Sequence, residues 1–392
     1  MTFIWFSGLS MLSYLVTDMY LPAFEFIRID MSTSESAVGM SLTVFLAGMA
    51  IGQLIYGPLS NRYGRKPVLL IGLAILACST VVIALSSSIE VFLIARFIQA
   101  IGACSASVIW QAVVIDRYQG RESQKLFAMI MPLVALSPAL APLLGAVLQS
   151  HFGWRAIFAA IIVITLLIIL MTLREKESYQ TTKKIATAKR SILADYKSII
   201  TSKKFTGNML LSAAASATFF AWLTGSPFVM NSMGYSHNEI GLWYIPQTIA
   251  FIVGGYTCKS LLEKYKDSQI LPVFILLSVV SILLISIYAY LVAATTIVPY
   301  VVAFCFIAIG NGAIYPLVIN RALEDFKQCS ATASGLFNFL QTVFCFAASA
   351  FVSAFAEYGI HAIAAAMSAM LVIFFAGSNM IMPVISFRRR TA

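Results

Sequence analysis

Two charged side chains sit inside stretches that are otherwise apolar: Asp18 in YLVTDMYLPAF, residues 14–24, and Arg96 in RFIQAIGA, residues 96–103. A carboxylate in such surroundings is costly. Its useful chemistry is to take up a proton in one environment and give it up in another, as water and neighbouring charge come and go. Arg96 keeps its proton, so it can tune the carboxylate but cannot carry the proton. Counted at 1.5 Å per residue, Asp18 and Arg96 lie about 8 and 9 Å from the same side of their segments, so both are expected at one depth. Asp18 is read as a proton carrier; the competing reading is a structural acid, paired with Arg96 or capping a helix near Pro22.

The elements that must hold these residues follow from composition. Of 392 residues, 60% are hydrophobic and 11% charged, against roughly 25% charged in soluble domains. Apolar runs of about 20 residues, enough to span a bilayer, recur at 3–24, 36–58, 67–87, 90–114, 124–149, 154–173, 205–231, 238–258, 269–293, 297–320, 329–356 and 359–385. Twelve spanning helices are therefore expected. The loops at 59–66, 115–125, 174–204, 259–268, 321–328 and 386–392 hold 23 of the 26 Lys and Arg residues. That asymmetry places them, and both termini, in the cytoplasm. The net charge of +10 is thus a topology signal with anionic lipid as neighbour, which argues against nucleic-acid binding. The six cysteines show no CxxC pairing and read as small apolar residues; neither metal nor cofactor is expected. No cleavable leader is expected, since the first run reaches spanning length without a basic start.

Residues 174–204, REKESYQTTKKIATAKRSILADYKSIITSKK, divide the spans six and six. They are too polar to bury much area and read as a linker between bundles at 1–173 and 205–392, with an amphipathic helix around 192–200 on the membrane surface. IGACSASVIWQAVVIDR at the end of the fourth span and IGNGAIYPLVINR at the end of the tenth suggest an internal duplication of the kind secondary transporters show.

The loop GPLSNRYGRKP, residues 57–67, resembles the signature Gly-x-Leu-x-Asp-Arg-x-Gly-Arg-Lys of the major facilitator superfamily. Gly57 and Gly64 suit a close approach and a tight turn; Arg62, Arg65 and Lys66 are basic anchors. Asn61 stands where the superfamily has aspartate, whose charge is favoured at the start of the eleventh helix; its loss is expected to weaken the inner gate. RFIQAIGA and ALSPALAPLLGA (residues 135–146, with Pro138, Pro142 and Gly145) resemble motifs of the drug:proton antiporter group, and TDMYLPAF is typical of the Bcr/CflA branch. Over almost the whole chain, including FFAWLTGSPF and PQTIAF, the likeness is to the purine nucleoside transporters of that branch. The resemblance implies an all-α membrane protein of two six-helix bundles in a bacterial inner membrane, working by alternating access, with the first and fourth helices lining its cavity.

Helical spacing then selects substrate-facing candidates. On the fourth span Ser107 and Trp110 or Gln111 share the face of Arg96, and Tyr14 is one turn from Asp18. The seventh span offers Phe219, Phe220 and Trp222 before a break expected at Gly225–Pro227, and the tenth and eleventh offer Asn311, Tyr315, Asn338 and Gln341. Aromatic faces and neutral amides suit a flat, uncharged, hydrogen-bonding ligand such as a nucleoside. Proton-coupled transport of a purine nucleoside by a monomer is the leading expectation, with multidrug/proton antiport as the alternative. An enzyme is not expected: His151, His237 and His361 fall in outer loops with no paired carboxylate motif.

Overall fold

A segment crossing hydrocarbon must satisfy its N–H and C=O groups internally, and the apolar runs accordingly form helices. The structure, a computed structural model, describes residues 2–118, 120–178, 192–235, 237–292 and 296–381; the linker stretch 179–191 and the basic segment 386–392 lie outside the described residues. Among the described residues there are fourteen helices and no strand: α1 Thr2–Asp18, α2 Phe24–Asp30, α3 Glu35–Tyr63, α4 Arg65–Leu85, α5 Ile89–Arg117, α6 Arg121–Phe152, α7 Trp154–Arg174, α8 Ile192–Ile200, α9 Lys203–Ser232, α10 His237–Lys264, α11 Asp267–Ile287, α12 Val298–Glu324, α13 Ser330–Ala354 and α14 Ile360–Ile381. All but α2 and α8 match the twelve expected runs. Nine of them, among the described residues, are long and apolar enough to cross a membrane.

Two expectations are corrected. The first run, read as one helix over 3–24, ends as α1 at Asp18 and resumes through a 3-10 turn, Leu21–Ala23, into α2. Pro22 is the cause: it has no N–H for the Asp18 carbonyl, and its ring would strike that carbonyl in a continued helix. Conversely, no break occurs at Gly225–Pro227, because α9 runs through Pro227. A Cβ on Gly225 would lie 2.5 Å from Ile363 and 2.7 Å from Val352, so close packing holds the helix in line.

By its internal contacts the chain divides into two units. The first comprises Met1–Gln119, Pro132–Tyr196 and Phe326–Phe339; the second comprises Gly120–Met131, Lys197–Asp325 and Leu340–Ala392. Each unit thus includes the opening turns of one long helix, α13 or α6, from the other half of the sequence. In the first unit α5 packs against α1, α3 and α4, and α4 against α7; in the second, α9 packs on α14 and α12 on α10 and α11.

The start of α13 lies on α3 backbone to backbone. A Cβ on Gly57 would meet the Ala331 carbonyl oxygen and the Thr332 Cα at 2.6 Å, and one on Gly335 would collide with the Gln53 carbonyl. Gly64, at φ +105°, makes the turn from α3 into α4, a conformation other residues resist. Gly57→Val is expected to push α13 off α3 and to cost about 1–3 kcal/mol or more from overpacking. The check is a lowered thermal midpoint in detergent, with Gly39→Ala, whose Cβ meets nothing within 4 Å, leaving it nearly unchanged.

Candidate functional site

Asp18 is the last residue of α1 and is half-buried. A helix C-terminus leaves carbonyls without donors and carries partial negative charge. Arg96 answers both. Projecting from α5, its Nη1 donates to the Val16 carbonyl at 3.2 Å and to Gln99 Oε1 at 2.6 Å. Gln99 Nε2 donates to Thr80 Oγ1 at 2.8 Å, and Thr80 donates to the Leu76 carbonyl at 2.5 Å, so a buried chain of hydrogen bonds ties α1, α5 and α4 together.

The Arg96 side chain is wholly buried, and its guanidinium lies 4.0 Å from the Tyr20 ring centroid and 4.2 Å from that of Phe45. Desolvated cation–π contacts contribute about 2 kcal/mol, which offsets part of the burial cost. Tyr20 is itself oriented by Ser41 Oγ at 2.9 Å. Arg96 Nε and Nη2 have no protein acceptor and retain capacity for negative charge. From the fifth-span motif, Gly145 abuts the Met19 carbonyl so closely that a Cβ there would collide with it; the helix end beside Asp18 needs a glycine opposite. The Pro138 side chain lies outside the described residues.

Ser107, Gln111 and Asn338 come together further along α5. Gln111 Oε1 accepts from Ser334 Oγ at 2.6 Å and Gln111 Nε2 donates to Asn338 Oδ1 at 3.4 Å, while Asn338 Nδ2 faces the Ser107 carbonyl at 3.5 Å. Trp110 is buried beside them in sequence, whereas Tyr14 is 40% exposed. In the second unit Phe219 lies 6.0 Å from both Phe220 and Phe304, and Tyr315 5.8 Å from Phe251. Gln341 Oε1 accepts from Ser212 at 2.9 Å. Trp222 and Asn311 are fully enclosed: Trp222 stacks on Phe304 at 4.8 Å, and Asn311 donates to the Ala215 carbonyl at 3.1 Å. These two join α9 to α12, the use polar and small groups find between membrane helices, rather than lining open space.

The signature loop builds a second polar centre. Arg65 is 1% exposed and pairs through Nε with Asp116, also 1% exposed, at 2.9 Å. Its other nitrogens reach Ser60 Oγ at 3.1 Å, Asn61 Oδ1 at 2.5 Å and Ser330 Oγ at 2.8 Å. Asn61 donates to Thr332 Oγ1 at 2.5 Å and Ser330 to Asp116 at 3.1 Å. The carboxylate missing at position 61 is thus supplied by Asp116 from α5. Lys66 donates to the Leu173 and Glu175 carbonyls at the end of α7, at 2.7 and 2.9 Å. Arg62 is exposed, over the Tyr63 ring. Sequence reasoning missed Glu177, whose carboxylate takes the N–H groups of Arg65 and Lys66 at 3.1 Å each and caps α4 where a negative charge is favoured.

Asp116→Asn leaves the Arg65 cation buried without its counter-charge and is expected to cost about 3–5 kcal/mol. Arg62→Ala, at the exposed position, is expected to change stability by less than about 1 kcal/mol. Thermal unfolding of the purified variants separates the two.

The Major Facilitator Superfamily profile matches residues 6–349. An uncharacterized MFS-type transporter of Bacillus subtilis, YdgK, is 34% identical over 303 residues, 72% of this chain and 75% of that one. A chloramphenicol resistance protein of Pseudomonas aeruginosa is 44% identical over 154 residues, 39% and 37% of the two chains. The multidrug transporter MdfA of Edwardsiella piscicida is 28% identical over 246 residues, 62% and 60%. Among solved structures, the transporter FucP in its outward conformation aligns with a TM-score of 0.77 at 15% identity, over 97% of this chain and 98% of that one. The proton:xylose symporter XylE aligns at 0.69 and 16%, over 95% and 94%. Those two likenesses establish the fold. Sequence profile and helix order agree that this multi-pass chain, a transporter and not an enzyme, belongs to the Major Facilitator Superfamily.

Proposed function

We propose that the chain is a proton-coupled antiporter that expels uncharged or weakly charged aromatic compounds from a bacterial cytoplasm by alternating access. Its basic loops and both termini face inside, and Asp18 carries the proton. The observation that supports this reading is a half-buried carboxylate at a proline-terminated helix end within the electrostatic reach of a fully buried guanidinium whose bonds go to Val16 and Gln99 instead. Ionisable groups within a membrane are functional by default. Held by two rings and a carbonyl, Arg96 stays in place while Asp18 changes charge, so each protonation state has a defined electrostatic setting. A proton crossing the membrane gains about 2.3 kcal/mol per 100 mV.

The drug class rests on the named relatives, one a chloramphenicol resistance protein and another a multidrug transporter. The narrower expectation of a purine nucleoside rests on overall resemblance and on aromatic and amide side chains, of which Phe219 and Asn338 are half-buried and Phe220 is exposed, whereas Gln111 is buried. None of the three relatives described above carries it in its name. Proteoliposomes with an imposed pH gradient separate the readings. Gradient-driven movement of ethidium or chloramphenicol is expected; movement of labelled inosine alone would favour the nucleoside. Asp18→Asn is expected to lower gradient-driven flux by about a hundredfold or more, the lower end of the effect of a removed proton-transfer group, while ligand binding persists. Full accumulation by that variant would eliminate Asp18 as carrier.

A further inference from the structure

Helix α8, in the linker, has one apolar face that the protein only partly covers. At 100° per residue Ile199, Ile192, Tyr196, Ile200 and Leu193 fall in an arc of about 120°. Ile199 is fully buried, but Ile192, Leu193 and Ile200 are 55%, 77% and 47% exposed. Tyr196 anchors the helix: its hydroxyl donates to the Leu54 carbonyl of α3 at 2.5 Å. That carbonyl is available for a definite reason. In an α-helix it would take the N–H of residue 58, and residue 58 is Pro58, inside α3, which has none. Burial pushes the Tyr196 phenol up to about 12, so the donor proton is kept at physiological pH.

Charge and position identify what covers the exposed face. Residues 174–204 carry nine Lys and Arg against three acids. Lys197 borders the apolar arc and, like Lys203, is exposed. On α3 itself, Ile51, Ile55 and Leu59 are 45%, 42% and 38% exposed, a stripe at four-residue spacing that continues the apolar surface of a membrane-crossing helix. An apolar stripe bordered by lysines, beside a lipid-facing helix, matches the interfacial zone of an anionic bilayer.

We propose that α8 lies on the anionic membrane surface, with Ile192, Leu193 and Ile200 in the interface, and that Tyr196 latches it to α3 through the carbonyl Pro58 leaves open. The latch places a lipid-responsive helix about one turn before Gly57 and two before Asn61, so surface charge acts on the end of α3 that carries the signature loop.

Hydrogen exchange of the full chain in nanodiscs tests this without a substrate. Amides of 192–200 are expected to exchange at least about fivefold more slowly in phosphatidylcholine with phosphatidylglycerol than in phosphatidylcholine alone, the factor for one basic side chain near an anionic surface. Lys197→Glu removes that difference. Tyr196→Phe speeds exchange of α8 by about fivefold, as loss of one hydrogen bond does. Pro58→Ala, which restores the Leu54 carbonyl's helical donor, speeds it likewise, and Tyr196→Phe adds nothing further in that background. Equal exchange in the two lipids, or an equal Tyr196→Phe effect with and without Pro58→Ala, would overturn the proposal.

Discussion

A membrane-spanning chain has no solvent with which to repair an unmade backbone hydrogen bond, and two prolines show how this one manages. Pro22 stops α1 and leaves its last carbonyls open; Pro58 interrupts the bond pattern of α3 at Leu54. In both places a side chain from elsewhere provides a donor, Arg96 to Val16 and Tyr196 to Leu54. An orphaned carbonyl in hydrocarbon costs several kcal/mol, so each repair is enforced rather than optional. The functional residues are organised around these repairs. Asp18 sits at one, and the signature loop begins one turn after the other.

The same economy governs the buried charges. Arg65 spends its donors on Asp116, Ser60, Asn61 and Ser330, so the loop that lacks an acid still closes on a carboxylate. The two similar motifs VIDR and VINR put Asp116 and Asn320 in matching places, and the matching continues in three dimensions. Asp116 accepts from Ser330 in the first unit, and Asn320 accepts from Ser123 in the second. In each unit a serine from the opposite half of the sequence, at the opening turn of a helix, bonds to this matched position, an ion-paired carboxylate in one case and a neutral amide in the other. The second unit puts its charge elsewhere, with Asp267 near Arg321 at 3.4 Å.

The twelve long helices were legible because hydrophobic length alone specifies them, and Asp18 and Arg96 because charge in an apolar run is conspicuous. What escaped was local or long-range. The end of α1 at Asp18 follows from Pro22, which a 22-residue apolar run outweighs in a hydropathy reading. The straight passage of α9 through Pro227 depends on Gly225 meeting Ile363, a contact across more than a hundred residues. Glu177 lies in a polar linker where an acid has no distinguishing pattern, and its role needs the N-terminus of α4 beside it. Pro58 was visible as a helix proline, yet only the folded chain shows that Tyr196 answers it.

Asp18, Asp116 and Asp267 are three of the buried or half-buried acids among the described residues, and their surroundings separate them. Asp116 is fixed by Arg65 and Ser330 within a wholly buried cluster, and neutralising it would strand a cation. Asp267 lies within the second unit beside Gln124 and Arg321, at a helix start where its charge is already favoured. Asp18 is at a helix end, where the dipole opposes its charge, next to a guanidinium whose bonds to Val16 and Gln99 do not depend on it. Protonation there removes an unfavourable charge without breaking a structural pair. A carrier must be able to exist in both states in the folded protein, and of the three only Asp18 sits where neither state dismantles its surroundings.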